Sequence, residues 1–192
     1  MIKLLFATHN KNKLKEISSS LDHRFNLLSL SDVNFQDEIP EDFQTLQENA
    51  EQKARTVQKA TKLDCFADDT GLEVDALQGR PGVYSARYAG EPSSSERNMA
   101  KLLDELKTST QRSAQFRTVI CLLFKGSKYF FEGKVEGEIL LHQTGKDGFG
   151  YDPIFKPQGY SKSFAEMSLV EKNKISHRAR AFKKMLDFLK NC

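Results

Sequence analysis

The chain has 192 residues, 39% of them hydrophobic and 29% charged, with a formal net charge of +3. That balance fits a globular chain of one domain, or one domain with a small lobe, excludes a disordered one, and by itself leaves too little positive charge to imply nucleic acid as a partner. Cys65, Cys121 and Cys192 are odd in number and far apart, which is neither a disulfide framework nor a zinc pattern and fits a reducing, cytoplasmic setting.

Residues 2–8 form a short apolar run that reads as a buried strand, too brief for a signal peptide. Leu14, Ile17 and Leu21 then recur at helical spacing, so the chain begins strand, loop, helix. Residues 32–42 are acidic and lack a period, which reads as loop or irregular strand. Residues 45–61 read as a helix with Leu46, Ala50, Ala54, Val57 and Ala60 on one face, and Thr45 and Glu48 have capping-box spacing at its start. A second short strand, 64–67, runs into Asp68-Asp69-Thr70-Gly71. Residues 79–82 carry a strong turn signal. Another helix is expected over 93–107, with Ser93 and Glu96 as its capping box. Strands over 119–124, 128–132 and 135–141 follow in series, punctuated by Gly126 and Gly133. Residues 144–160 read as a structured loop, and a last helix spans about 176–189. The alternation argues an α/β fold, and the serial strands argue a mixed sheet. No stretch approaches the roughly 20 apolar residues of a membrane span.

Several segments carry groups suited to chemistry. A strand ending in Thr8-His9-Asn10-Lys11-Asn12-Lys13 and entering a helix offers amides, a hydroxyl and an ammonium at one place, a plausible phosphate cradle; Asn10 also reads as a plain helix cap. It is not a Walker loop. Two adjacent carboxylates, Asp68 and Asp69, are costly near a core without a partner, and a divalent cation is one such partner. The same residues are also good turn chemistry. Glu41 and Glu48 are further candidate metal ligands, although Glu48 also serves the capping box. In the loop Gly148-Phe149-Gly150-Tyr151-Asp152-Pro153 an aromatic ring can stack on a base and Asp152 can accept from a ring N–H, or the aromatics pack inward. Lys172, His177 and Arg178 suit phosphate, or form the solvated basic start of a helix.

Together these segments resemble the inosine triphosphate pyrophosphatase family, which acts on XTP, ITP and dITP. The matching stretches are residues 7–13, Glu48-Asn49-Ala50 with Lys53-Ala54, residues 67–72 and 79–90, the run 148–155, and Ser176-His177-Arg178. They span nearly the whole chain in the family's order. The resemblance implies one inosine triphosphate pyrophosphatase-like domain over 1–192. Its fold would be an elongated mixed β-sheet flanked by helices, two lobes with a central active-site cleft. The implied activity is Mg2+-dependent cleavage between the α- and β-phosphates of a non-standard purine nucleoside triphosphate, to monophosphate and pyrophosphate. Asp69 would be the catalytic base and a metal ligand. Thr8, His9, Asn10, Lys11, Asn12 and Lys13 would bind the triphosphate, Thr70 would touch substrate, and Phe149, Gly150, Tyr151 and Asp152 would hold the base. Lys172, His177 and Arg178 would complete the site. A homodimer is implied, with residues 79–90 near its contact. Thr70 stands where many bacterial members have Ser. The acidic segment departs from the family's pattern, which leaves the second metal ligand open: Glu41 by alignment, with Glu48 and Asp68 also in reach.

Two other readings follow from the same residues. One is a pyrophosphatase for modified pyrimidine nucleoside triphosphates. The other is a nucleic-acid-binding module using the basic C-terminal part, which would show steep salt dependence.

Overall fold

The computed structural model describes residues 2–19, 21 and 24–192. Its elements in chain order are β1 (Ile2–Phe6), α1 (Lys11–Ser18), β2 (Phe25–Leu28), α2 (Leu46–Thr61), β3 (Cys65–Val74), β4 (Pro81–Gly82), α3 (Ser95–Glu105), β5 (Ser113–Phe124), β6 (Ser127–Ile139), β7 (Phe155–Pro157), α4 (Leu169–Ile175) and α5 (His177–Leu189). The strands form a mixed sheet in the order β2-β1-β3-β5-β6-β7, with β4 paired to β3. β1 pairs parallel to β2 and β3, whereas β4 and β7 pair antiparallel to β3 and β6. No helix among the described residues is long and apolar enough to cross a membrane.

The chain divides into two compact units, one of residues 1–69, 118–133 and 178–192, the other of residues 70–117 and 134–177. The division falls between Asp69 and Thr70 and again between His177 and Arg178.

In the first unit, side chains alternate across the strands as period-2 geometry requires. Leu4, Phe6, Phe66, Ile120 and Leu122 pack with Ile17 of α1 and Phe182, Met185 and Leu189 of α5. Leu5, Ala7, Cys65, Ala67, Cys121 and Leu123 pack with Ala50, Ala54 and Val57 of α2. Phe6 stacks on Phe66 with ring centroids 4.5 Å apart. Helix α1 is capped by Asn10, and α2 by Thr45, whose side chain accepts from the Glu48 amide. Leu21 lies beyond α1.

The second unit builds its core from Leu72, Val74, Met99, Leu102, Phe116, Ile154, Phe155 and Phe164, among others. Several elements differ from the sequence expectation. The cap of α3 is Ser94, one residue past the expected Ser93. β5 and β6 are each one long strand joined through Lys125 and Gly126, both with positive φ, and Gly133 lies inside β6 rather than ending a strand. Gly137 permits the close β6–β7 pairing, since a Cβ there would lie 2.3 Å from the Lys156 carbonyl oxygen. The 144–160 loop contains β7, and α4 precedes the last helix. Most consequentially, Asp68, Asp69, Thr70 and Gly71 are strand residues within β3, not a turn.

Candidate active site

Consecutive strand residues point to opposite faces, and β3 applies this to two carboxylates. Asp68 follows Phe66 onto the α1–α5 face of the first unit. Its carboxylate receives the Lys13 ammonium at 3.1 Å and the Arg178 Nε–H at 3.1 Å. The Arg178 guanidinium also donates to Glu16, which α1 carries. Asp68 and Arg178 are each 2% exposed. Burial pushes the Asp68 carboxyl upward, but the charges of Lys13 and Arg178 outweigh it and hold the group below the usual carboxylate range. Arg178 is correspondingly held more firmly protonated, its burial outweighed by Asp68 and Glu16.

Asp69 follows Ala67 onto the α2 face. Its Oδ1 accepts from the Lys53 ammonium at 2.8 Å and its Oδ2 from the Asn49 side-chain amide at 3.4 Å. The same ammonium lies 2.5 Å from Glu41 Oε1. Burial pushes the Asp69 carboxyl up, and Lys53 opposes it without cancelling it. Asn49 and Lys53 stand one helical turn apart, so α2 presents both to one carboxylate. Segment 41–45 is held in place by side chains of α2. Asn49 accepts from the Phe43 amide at 2.9 Å and donates to the Phe43 carbonyl at 3.1 Å. Gln52 accepts from the Asp42 amide at 3.0 Å. These bonds set Glu41 beside Lys53.

The sequence expectation assigned no role to Lys53, Asn49 or Glu16. A signal was present for the first two: an ammonium and an amide on the apolar stripe of α2, beside Ala50, Ala54 and Val57. Buried polar groups in such a stripe demand partners.

The residues of the first loop lie mostly at the surface. Asn10 Oδ1 accepts from the amides of Asn12 at 2.9 Å and Lys13 at 3.1 Å, and Thr8 Oγ1 accepts from the Asn10 amide at 3.1 Å. The expected cap is therefore present, with Lys11 and Asn12 exposed beyond it. His9 bonds to the Asp37 carbonyl at 2.9 Å and stacks on Phe35.

In the second unit the glycine loop closes on Asp152. Asp152 Oδ2 accepts from the Phe149 amide at 2.8 Å and from the Lys172 ammonium at 2.6 Å. The Lys172 ammonium also lies 5.0 Å from the Phe149 ring centroid and 5.3 Å from that of Phe164, a cation–π arrangement. Gly148 has φ +79, and a Cβ there would meet Asp152 Oδ2 at 2.3 Å, so only glycine fits. Tyr151 is turned inward and donates to the Ser85 carbonyl at 2.9 Å. Phe149 and Gly150 are half-buried. His177 is buried, its ring stacked on Phe116 at 4.6 Å and 15°. Thr70, the first residue of this unit, is half-buried in β3.

The first unit's carboxylates suit a hard divalent cation. Among the described residues no group of three or more His, Cys, Asp and Glu side chains is arranged to hold a metal ion. Magnesium does not demand one, because it takes one or two carboxylates and completes its shell with water and substrate phosphate. Glu41 and Asp69 already converge on one cation, the Lys53 ammonium. Glu48 is exposed and accepts from the Thr45 hydroxyl at 2.6 Å, and Asp68 is engaged by Lys13 and Arg178 on the other face.

Residues 4–188 match the model of the Ham1 family. A dITP/XTP pyrophosphatase of Christiangramia forsetii is 54% identical over 188 residues, covering 98% of this chain and 99% of that protein. One from Flavobacterium johnsoniae is 52% identical over 188 residues, with 98% of each chain covered. Among solved structures, a HAM1 protein from Coxiella burnetii superposes with a TM-score of 0.90 at 36% identity, covering 100% of both chains. The Staphylococcus aureus Ham1 protein does so with a TM-score of 0.88 at 38% identity and 98% coverage of both. The family model spans nearly all of the chain, and on that ground the chain belongs to the Ham1 family.

Proposed function

We propose that this chain hydrolyses the non-standard purine nucleoside triphosphates dITP, XTP and ITP to the monophosphate and pyrophosphate. The observation that carries the reading is the likeness, at 54% identity over 98% of the chain, to a protein named dITP/XTP pyrophosphatase. The buried carboxylate of Asp69, set against Lys53 and Glu41, supports it.

Asp69 is the base that takes a proton from water as the water oxygen attacks phosphorus; the phosphorus–oxygen bond to pyrophosphate breaks. Burial that raises a carboxyl above its ordinary range makes it a better base near neutral pH. Asp69 and Glu41 hold Mg2+, whose contribution is to offset phosphate charge and orient the reacting groups. Glu41 is preferred to Glu48 and Asp68 because it shares a cation with Asp69. Thr8, His9, Asn10, Lys11, Asn12 and Lys13 bind the phosphates, with Lys11 and Lys13 in the first turn of α1 supplying ammonium groups beside the positive end of the helix.

Base recognition belongs to Phe149, Gly150, Tyr151 and Asp152, with Lys172, His177 and Thr70. Here Phe149 supplies the stacking face. Asp152, which accepts from both the Phe149 amide and the Lys172 ammonium, holds the loop in the shape that meets a 6-keto edge and mismatches the amino edge of adenine. Arg178 acts by holding Asp68, and through it Lys13. The chain works in the cytoplasm as a homodimer. The test is product identity: 31P NMR of dITP incubated with enzyme and Mg2+ gives dIMP and pyrophosphate. Appearance of dIDP and orthophosphate instead contradicts the proposal.

A further inference from the structure

We propose that the Lys53 ammonium is an internal counter-cation that competes with a divalent ion for the carboxylates of Glu41 and Asp69, and so sets how tightly this chain binds its metal. The inference rests on the reading of those two carboxylates as metal ligands and adds the residue that controls them. Lys53 Nζ lies 2.5 Å from Glu41 Oε1 and 2.8 Å from Asp69 Oδ1. The ammonium therefore engages the two groups a divalent ion would take.

The setting gives the competition force. Lys53 is 5% exposed, so its charge has little water and is compensated by these carboxylates. Asp69 also receives the Asn49 amide at 3.4 Å, so α2 supplies both of these donors to one carboxylate. A magnesium ion needs its carboxylate oxygens at about 2.0–2.1 Å. An ammonium that donates to the same carboxylates then stands within a few ångströms of the divalent charge, and in a partly buried setting that repulsion is strong. The ammonium must withdraw or the ion binds weakly. Lysine can withdraw, because a point charge on a flexible stem moves at lower cost than the rigid fork of arginine. Glu41 lies on the open side of the pair, its side chain 31% exposed, and gives an ion a route from solvent.

The experiment needs no nucleotide. Wild type, Lys53→Met and Lys53→Gln are treated with chelator, dialysed and titrated with Mn2+ by calorimetry, and the shift in Tm at saturating Mn2+ is recorded. Both variants are expected to bind Mn2+ about tenfold more tightly than wild type, since the competing charge is gone. Mn2+ should also raise their Tm more than it raises that of wild type. Equal or weaker binding by both variants, with the wild type binding normally, overturns the inference alone. Absence of Mn2+ binding by the wild type overturns the metal reading as well. Should neither variant fold, the wild type still decides: the 1H–15N signal of the Lys53 ammonium must shift on Mg2+ saturation, and an unmoved signal contradicts the competition.

Discussion

Asp68 and Asp69 are neighbours in β3 and face opposite sides of the sheet. Asp68 meets Lys13 and Arg178, and Asp69 meets Lys53 and Asn49. One carboxylate is enclosed by two cations that hold it ionised. The other is buried but shares its cation with Glu41. Strand alternation alone makes the pair unequal.

The two carboxylates should therefore fail differently when neutralised. Asp69→Asn should cut pyrophosphate release by orders of magnitude, because the base is lost, while unfolding in urea changes little; Lys53 keeps Glu41 as a partner. Asp68→Asn leaves Lys13 and Arg178 without their shared anion and should cost about 3–5 kcal/mol, the usual penalty for breaking a buried ion pair. Matched urea melts and rate measurements separate the cases. Equal stability loss in both variants would contradict the division of roles.

Arg178→Met tests whether the guanidinium acts through Asp68. It should lower stability by an amount similar to Asp68→Asn, and the double variant should be less destabilised than the sum of the singles, since both remove one interaction. A double-mutant cycle in urea reads the coupling. Strict additivity would show that Arg178 does not act through Asp68.

Gly148→Ala forces a Cβ to within 2.3 Å of Asp152 Oδ2 at a backbone φ of +79. Displacing Asp152 breaks its bonds to the Phe149 amide and Lys172. The expected result is a KM for dITP raised about tenfold, on the scale of one lost charge-assisted hydrogen bond, with a smaller change in kcat. Steady-state kinetics checks it, and an unchanged KM would remove this loop from base recognition.

The thiols give a prediction about pH. Burial pushes the thiols of Cys65 and Cys121 up to about 12, whereas Cys192 is exposed. A raised thiol pKa means protonated, unreactive sulfur near neutral pH. At pH 8 a colorimetric thiol reagent should label Cys192 alone in the folded protein and all three cysteines in guanidinium. Fast labelling of Cys65 or Cys121 would show that the sheet around them opens.

The helices α2, α3 and α5 and the first strand were legible because their apolar periods are long enough to outvote local noise. β2, β4 and α4 were not, since four residues, two residues and seven residues carry too little pattern. Glycine misled in β6, where Gly133 reads as punctuation, and Gly137 serves close approach to β7. Aspartate and glycine misled in β3, because residues with poor strand preference are held there by the buried ion pairs of Asp68 and Asp69 and, at Gly71, by the close approach of the Gly82 backbone. Of the candidate site, the carboxylates and the glycine loop were legible from residue type. Their partners were not: the link from Lys53 to Glu41, or from Arg178 to Glu16, depends on which faces the fold brings together.

The most direct measurement is pyrophosphate release with Mg2+ from dITP, XTP and ITP beside dATP, dGTP and dCTP at equal concentrations. The kcat/KM values for the three non-standard purines should lie at least about a hundredfold above those for dATP, the scale on which a mismatched polar edge rejects the wrong base. Comparable rates for dATP, or orthophosphate as the released product, would contradict it.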